Sequence, residues 1–274
     1  MHEIELSYYR ELIMYLGFNL NVDLDFYDEY FRIGKRLHDE NKKIVKDTLD
    51  SFKSENGKLK ADKIIAEWFP LISADVFLSH SHKDEPGIIA LAGWLNHKFG
   101  LSCFIDSSLW GYSPELLRMI DNQYCYNKEK NTYNYDDRNK STSHVYMMLS
   151  TALTKTMDSC ECVFFVNTPN SIKIDETISS SGKTESPWIY SEIAMTKLIR
   201  RRDPRDHRAI KGLAMDGMES FKESLDIEYD VDLSHLKDID KSTLDHWATE
   251  HEKKPLKYAL DFLYAKKDHG AMYG

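Results

Sequence analysis

One carboxylate stands out by its position. Residues 187–202 have helical spacing: Trp188, Met195 and Ile199 share a narrow stripe, Ile189 and Leu198 widen it, and Lys197 and Arg201 lie opposite. Glu192 falls inside the apolar stripe, near the start of the helix. A carboxylate aimed inward is expensive unless it is partnered or works in a cleft, so Glu192 is a candidate catalytic acid or anion. A structural pairing with a buried His or Arg is the competing reading.

A second set of polar residues follows short apolar runs. Ala74–Ser79 (ADVFLS) leads into Ser79, His80, Ser81 and His82; Leu101–Asp106 (LSCFID) leads into Asp106 and a Ser107–Gly111 segment containing Trp110; Cys162–Val166 (CVFFV) leads into Asn167 and Thr168. Ligands of doubly wound sheets bind outside the carboxyl ends of the strands, where these residues would converge. Phe77, Trp110 and Trp188 offer rings on which a flat ligand ring could stack. The run His80-Ser-His82-Lys-Asp84 also suits a metal, because two His and one Asp within five residues can hold Zn²⁺ at an open hydrolytic site. Loop polarity alone is the plain alternative for all of these.

The elements that must position these residues follow from periodicity. Strand 74–79 precedes a helix with Ile88, Leu91, Ala92, Leu95 and Phe99 on one face and Gly100 as its stop. Strand 101–106, helix 143–158, the apolar strand 162–166 and helix 187–202 come next; Ser186 is a natural N-cap and Pro187 suits the first turn. This alternation predicts an α/β fold with a parallel sheet covered on both faces. Residues 1–72 read as an N-terminal helical extension, on the spacing of Tyr9, Leu12, Ile13 and Leu16 and of Ile64, Ile65, Trp68 and Phe69. Residues 73–235 form the main domain, interrupted by a Tyr-rich insert at about 122–142 with no clear periodicity, and 236–274 an α-rich tail with helices at 242–251 and 255–266. Strands are also expected at 209–215 and, as an edge, at 227–233.

Composition narrows the class. The chain has 274 residues, 36 Lys plus Arg against 45 Asp plus Glu, and a formal net charge of −9, which speaks against nucleic acid as a partner. The basic cluster 200–205 reads as a solvated helix end. No apolar run approaches the ~18 residues of a membrane span, and the first ten residues lack the pattern of a signal peptide. Four Cys without a C-x-x-C pair suggest free thiols in a reduced compartment. A soluble cytoplasmic protein is the expectation.

Taken in order, ADVFLSH at 74–80, CFID at 103–106 and WIYSE at 188–192 resemble the Toll/interleukin-1 receptor (TIR) domain, in particular bacterial TIR proteins of antiphage defence such as the signal-producing subunit of Thoeris systems. The resemblance covers about residues 73–233. It implies a flavodoxin-like, doubly wound parallel sheet and an enzyme that cleaves the nicotinamide–ribose bond of NAD⁺, with NAD⁺ as substrate and no cofactor. It also implies Glu192 as the catalytic glutamate, Trp188 as the aromatic one turn earlier, His80 and Ser81 as nucleotide contacts, and Asp106 at the start of a mobile loop. Self-association on activation, near-inactivity of the free protein, and a small-molecule signal to a separate effector are implied as well. Two positions depart from eukaryotic members: His80 stands where Tyr is frequent, and Ser81 where Arg is common.

A lone carboxylate suits this chemistry. The nicotinamide of NAD⁺ is already a cationic pyridinium and departs neutral, so it needs no general acid, unlike the leaving group of an ordinary glycoside. The remaining task is to stabilise an oxocarbenium-like ribose, electrostatically or by transient covalent attachment. The nucleophile that arrives then fixes the product as ADP-ribose, a cyclic isomer or a conjugate. Three alternatives are a non-enzymatic TIR adaptor, a metal-dependent hydrolase using His80, His82 and Asp84, and a nucleoside deoxyribosyltransferase with a Glu nucleophile.

Overall fold

The computed structural model describes residues 16–40, 49–106, 112–174, 181–199 and 229–268. In chain order these form β1 (Leu16–Asn21), α1 (Phe31–Glu40), α2 (Ala61–Trp68), β2 (Val76–Ser79), α3 (Glu85–Phe99), β3 (Cys103–Ile105), α4 (Tyr112–Ile120), β4 (Tyr126–Asn127), β5 (Thr132–Tyr133), α5 (Tyr135–Ser159), β6 (Cys162–Val166), β7 (Lys173–Ile174), β8 (Ser181–Thr184), α6 (Pro187–Leu198), β9 (Tyr229–Asp232), β10 (Lys237–Asp240), α7 (Lys241–Lys253) and α8 (Asp261–Asp268).

Five of the described strands pair in parallel, in the order β10-β1-β6-β2-β3. Every residue of β2 and β6 is buried, as expected for strands covered on both faces. Their side chains alternate. Phe18, Leu20, Val76, Leu78, Phe164 and Val166 pack toward α3, α7 and α8. Phe77, Phe104 and Val163 pack toward α2, α4 and α5, and Phe165 meets Ile189 and Ile193 of α6. The predicted α/β class with a parallel sheet is what the chain adopts.

The order of strands differs from the flavodoxin-like expectation beyond β6. β3-β2-β6 reproduces the first three places of that order, but the next two are taken by β1, from the N-terminal region, and by β10, from the C-terminal region. Residues 16–21 were expected to be helical; they form a central strand, so the described part of 1–72 is not a purely helical extension. The sequence LGFNLN carries a period of two, with Phe18 and Leu20 buried on one face and Asn19 on the other, and this overrides the helical spacing that ends at Leu16. The rest of that spacing, at Tyr9, Leu12 and Ile13, lies outside the described residues, while Ile64 and Trp68 do fall on a helix, α2.

β10 likewise adds a strand to the tail ahead of α7, whose first turn is capped by Asp240. The expected edge strand appears as β9, in a three-stranded antiparallel sheet with β7 and β8. The strand expected at 209–215 lies outside the described residues.

The helix ends obey local rules. Gly100 closes α3 in the left-handed region at φ 67°, with its N–H donated to the Asn96 carbonyl. Ser186 accepts from the Ile189 N–H and opens α6 as predicted. The Tyr-rich stretch is more ordered than the sequence suggested: β4 and β5 form a small hairpin with Tyr126 and Tyr133 rings 5.2 Å apart, and α5 starts at Tyr135, eight residues ahead of its expected start. Buried Asp121, just after α4, ties the end of that helix to α5 by accepting from Arg138 Nε at 2.8 Å and from the Ser141 hydroxyl. All four Cys are free thiols. No described helix is long and apolar enough to cross a membrane.

The chain leaving β2 runs to β3 on one side, while the chain leaving β6 runs toward β10 at the opposite edge.

Candidate active site

Ser79, His80, Asp106 and Glu192 meet where α6 covers the carboxyl ends of β2 and β3, and each is at least nine-tenths buried. Ser79 closes β2 on the face toward α6, so its hydroxyl donates to Glu192 Oε2 at 2.5 Å. One residue later the chain turns, and the His80 ring enters the interior with Nδ1 2.6 Å from Asp106 Oδ1 and 3.2 Å from the Leu78 carbonyl. Asp106 follows directly on β3, which pairs with β2 and fixes its height. Glu192 reaches the group from the second turn of α6, a helix anchored on the sheet by Ile189 and Ile193.

The electrostatics follow from burial and proximity. Burial pushes the Glu192 carboxyl well above its ordinary value of 4.5; the neighbouring Asp106 carboxylate pushes in the same direction, and the Ser79 hydrogen bond opposes both only in part. Burial alone would lower His80, but Asp106, the Leu78 carbonyl and Glu85 outweigh it and raise the imidazole above 6.5. Burial and Asp106 thus favour the protonated form of Glu192, and Asp106 favours the protonated form of His80. Two polar atoms of this cluster, Glu192 Oε1 and His80 Nε2, are buried without a hydrogen-bond partner. Such orphans are expensive, and a ligand that satisfies them recovers the cost.

Glu192 also lines a narrow hollow between α5 and α6, of about 10 Å³, together with Ser150, Leu153, Thr154, Met157, Trp188 and Met195. That is room for about one water molecule, far below the roughly 300–1,000 Å³ of a usual ligand pocket. Trp188 is half-buried and sits 5.9 Å from the Tyr146 ring, at the mouth of this hollow.

Of the residues picked out in the sequence, Glu192, His80 and Asp106 come together, and Trp188 stands beside them. Phe77 does not fit its expected stacking role. It is fully buried with its ring 5.0 Å from Phe104, because the alternation of β2 points it into the core under α4 and α5. Ser81 is half-buried at the start of a short turn, and His82 is exposed. Trp110 lies outside the described residues. The metal reading fails on direction: His80 turns inward to Asp106, His82 outward, and Asp84 accepts from Thr168 Oγ1 and Asn170 Nδ2 in the loop after β6. The described residues contain no group of three acidic, His or Cys side chains placed to share a metal ion.

Two relationships escaped the sequence. Ser79 as the partner of Glu192 required knowing that α6 packs over the end of β2. A second polar chain, in which Asn167 Nδ2 donates to Asn19 Oδ1 at 3.1 Å and Asn19 Nδ2 to Asp238 Oδ1 at 2.7 Å, was hidden because Asn19 sat in a segment read as helical.

No family model, curated protein or solved structure matches the chain. What the site can do is accordingly argued from its chemistry.

Proposed function

We propose that this protein is a TIR-like enzyme that cleaves the nicotinamide–ribose bond of NAD⁺. The observation that carries this reading is the convergence of three segments far apart in the chain, ADVFLSH, CFID and WIYSE, on one buried cluster through Ser79, His80, Asp106 and Glu192. These are the same three segments that resemble the TIR domain, and the first and second form neighbouring parallel strands.

In the reaction the bond between C1′ of the ribose and the pyridinium nitrogen breaks heterolytically. Its electron pair passes to the nitrogen, which leaves as neutral nicotinamide. Glu192, on losing its proton, faces the positive ribosyl carbon and stabilises it; the low dielectric of a buried site strengthens that attraction. Water attacking C1′ then gives ADP-ribose and a proton, whereas an adenine nitrogen of the same molecule gives a cyclic isomer. In this reading the nicotinamide lies beside Glu192 and Trp188, and the ribose and phosphates extend along the strand ends. His80 and Ser81 serve there as nucleotide contacts.

In the cell this activity produces an ADP-ribose-derived signal for a separate effector in antiphage defence, and the enzyme self-associates when activated. Incubation of the full chain with NAD⁺, followed by mass spectrometry of the products, tests the reading. Nicotinamide release by the native chain and its absence with Glu192→Gln support it. Equal release by both, or none from the native chain at any protein concentration, overturns it.

A further inference from the structure

We infer that α6 and the antiparallel sheet β7–β8–β9 move together as one cover, and that the seam between α6 and α5 is the entrance to the buried cluster of Ser79, His80, Asp106 and Glu192. The inference rests on how the cluster is enclosed, and it holds whatever the cluster acts on.

The cluster is sealed. Each of its four residues is at least nine-tenths buried, and the hollow beside Glu192 has room for about one water molecule. A larger ligand reaches these groups only when a covering element shifts. α6 is such an element, because it supplies Glu192 itself and covers the end of β2 through the Ser79–Glu192 bond.

The chain path makes α6 part of a larger unit. The chain leaves the parallel sheet at Val166 and returns to it at Lys237, and β7, β8, α6 and β9 all belong to that one excursion. The excursion has a small core of its own, made of Ile172, Ile189, Ile193, Val231, Leu233 and Leu236, with Phe165 as its one member from the main sheet. The two large cores are separate from it. Further contacts fasten α6 to β9 and to the turn after it. Lys197 Nζ lies 2.7 Å from Asp232 Oδ2, Thr196 Oγ1 lies 2.7 Å from His235 Nε2, and the Tyr190 ring stacks on Tyr229 at 4.9 Å.

Toward α5 the joint is looser. There α6 presents Trp188, Met195 and Ile199, all half-buried, and the hollow separates it from the half-buried Ser150 and Thr154. Local opening follows the boundary that buries the least, so the cover parts from α5 and stays joined to β9. The chain crossings after Val166 and before Lys237 absorb the motion, as element-terminal residues do at hinges. The Ser79–Glu192 bond spans cover and body, so it breaks when the cover lifts and forms again when it closes. Glu192 is thus brought to Asp106 and His80 only in the closed state.

Native-state hydrogen exchange of the full chain in low denaturant, read by mass spectrometry, tests this without any ligand. The amides of α6, β8 and β9 should exchange through one common opening, at least about tenfold faster than those of β2, β6 and the Leu149–Leu153 stretch of α5. In Ser79→Ala that common opening should become about tenfold more frequent, the scale of one lost buried hydrogen bond, with α5, β2 and β6 unchanged. Exchange of α6 only together with α5 and β6 overturns the inference, and so does fraying of α6 while β8 and β9 stay protected. A Ser79→Ala variant that speeds exchange equally everywhere, or nowhere, overturns it as well. None of these outcomes depends on NAD⁺ turnover, so the proposed activity and the moving cover stand or fall separately.

Discussion

The Ser79 hydroxyl donates to Glu192 Oε2 at 2.5 Å across 113 residues of sequence, joining the end of a central strand to the second turn of a covering helix. This bond both places the acid and tempers it. The hydroxyl favours the ionised form, while burial and Asp106 favour the neutral one. Glu192→Gln keeps the shape and removes the charge. We expect NAD⁺ cleavage to fall at least about 100-fold, the scale at which single electrostatic groups act in active sites. Nicotinamide release measured by chromatography checks it, with circular dichroism confirming an unchanged fold.

Ser79→Ala removes the one partner that lowers Glu192. Its proton should be held more tightly, so the pH at which activity rises should move upward, with kcat less affected at high pH. Stability should drop by about 1–3 kcal/mol, the usual cost of leaving a buried polar atom unsatisfied. A pH–rate profile left in place in the Ala variant would show that Ser79 does not set the charge of Glu192.

Stability should depend on pH through the same acid. In the folded chain Glu192 holds its proton above the unfolded value of 4.5, so its contribution is fully present below that pH and is lost as pH rises through the folded value. Glu192→Gln does not suffer this loss. Thermal melts of the two proteins should therefore nearly coincide around pH 4.5 and diverge with increasing pH, the Gln variant being the more stable at neutral pH. His80 is raised in the same direction, above 6.5, and adds a loss at higher pH that both proteins share. A constant offset between the melts across the range would contradict a protonated Glu192.

Much of this site was legible because a carboxylate in an apolar helical stripe is a conflict within one element, visible without any tertiary knowledge. Asp106 and His80 were legible as strand-end residues once the alternation of strands and helices was read. Their pairing was not, since strand order alone does not say that the His80 ring turns inward to meet Asp106. β1 was missed for a different reason. Six residues with Gly17 and two Asn carry little strand propensity, so their period of two tells only once they are buried between β6 and β10. Phe77 shows the reverse error. Proximity to the site in sequence suggested a ligand contact, whereas the period of two on β2 turns it into the core on one face of the sheet and Leu78 into the core on the other.

Asp106→Asn removes the anion that compensates His80. A buried pair broken on one side costs about 3–5 kcal/mol, which for a chain of this size lowers Tm by roughly 6–20 °C. The His80 imidazole should lose its proton at lower pH, and Glu192 should become more acidic, since Asp106 raises both. NMR titration of the His80 ring in the native and Asn proteins reads the first shift directly. An unmoved titration would mean that the two groups are not coupled.

Phe77→Ala and Trp188→Ala separate core from site. Phe77 has no exposed surface and is packed on Phe104, so its truncation leaves a cavity and should cost about 3–5 kcal/mol. What activity remains in the folded fraction should keep a native KM, because the ring faces the core and not the hollow. Trp188 is half-buried over the hollow beside Glu192, so its loss should cost less stability and raise KM for NAD⁺ several-fold, as expected when one ring-stacking contact disappears. Denaturant melts combined with steady-state kinetics on both variants give the two numbers for each. If Trp188→Ala loses stability as Phe77→Ala does and keeps its KM, the aromatic ring belongs to the core, and the nicotinamide is received elsewhere along the strand ends.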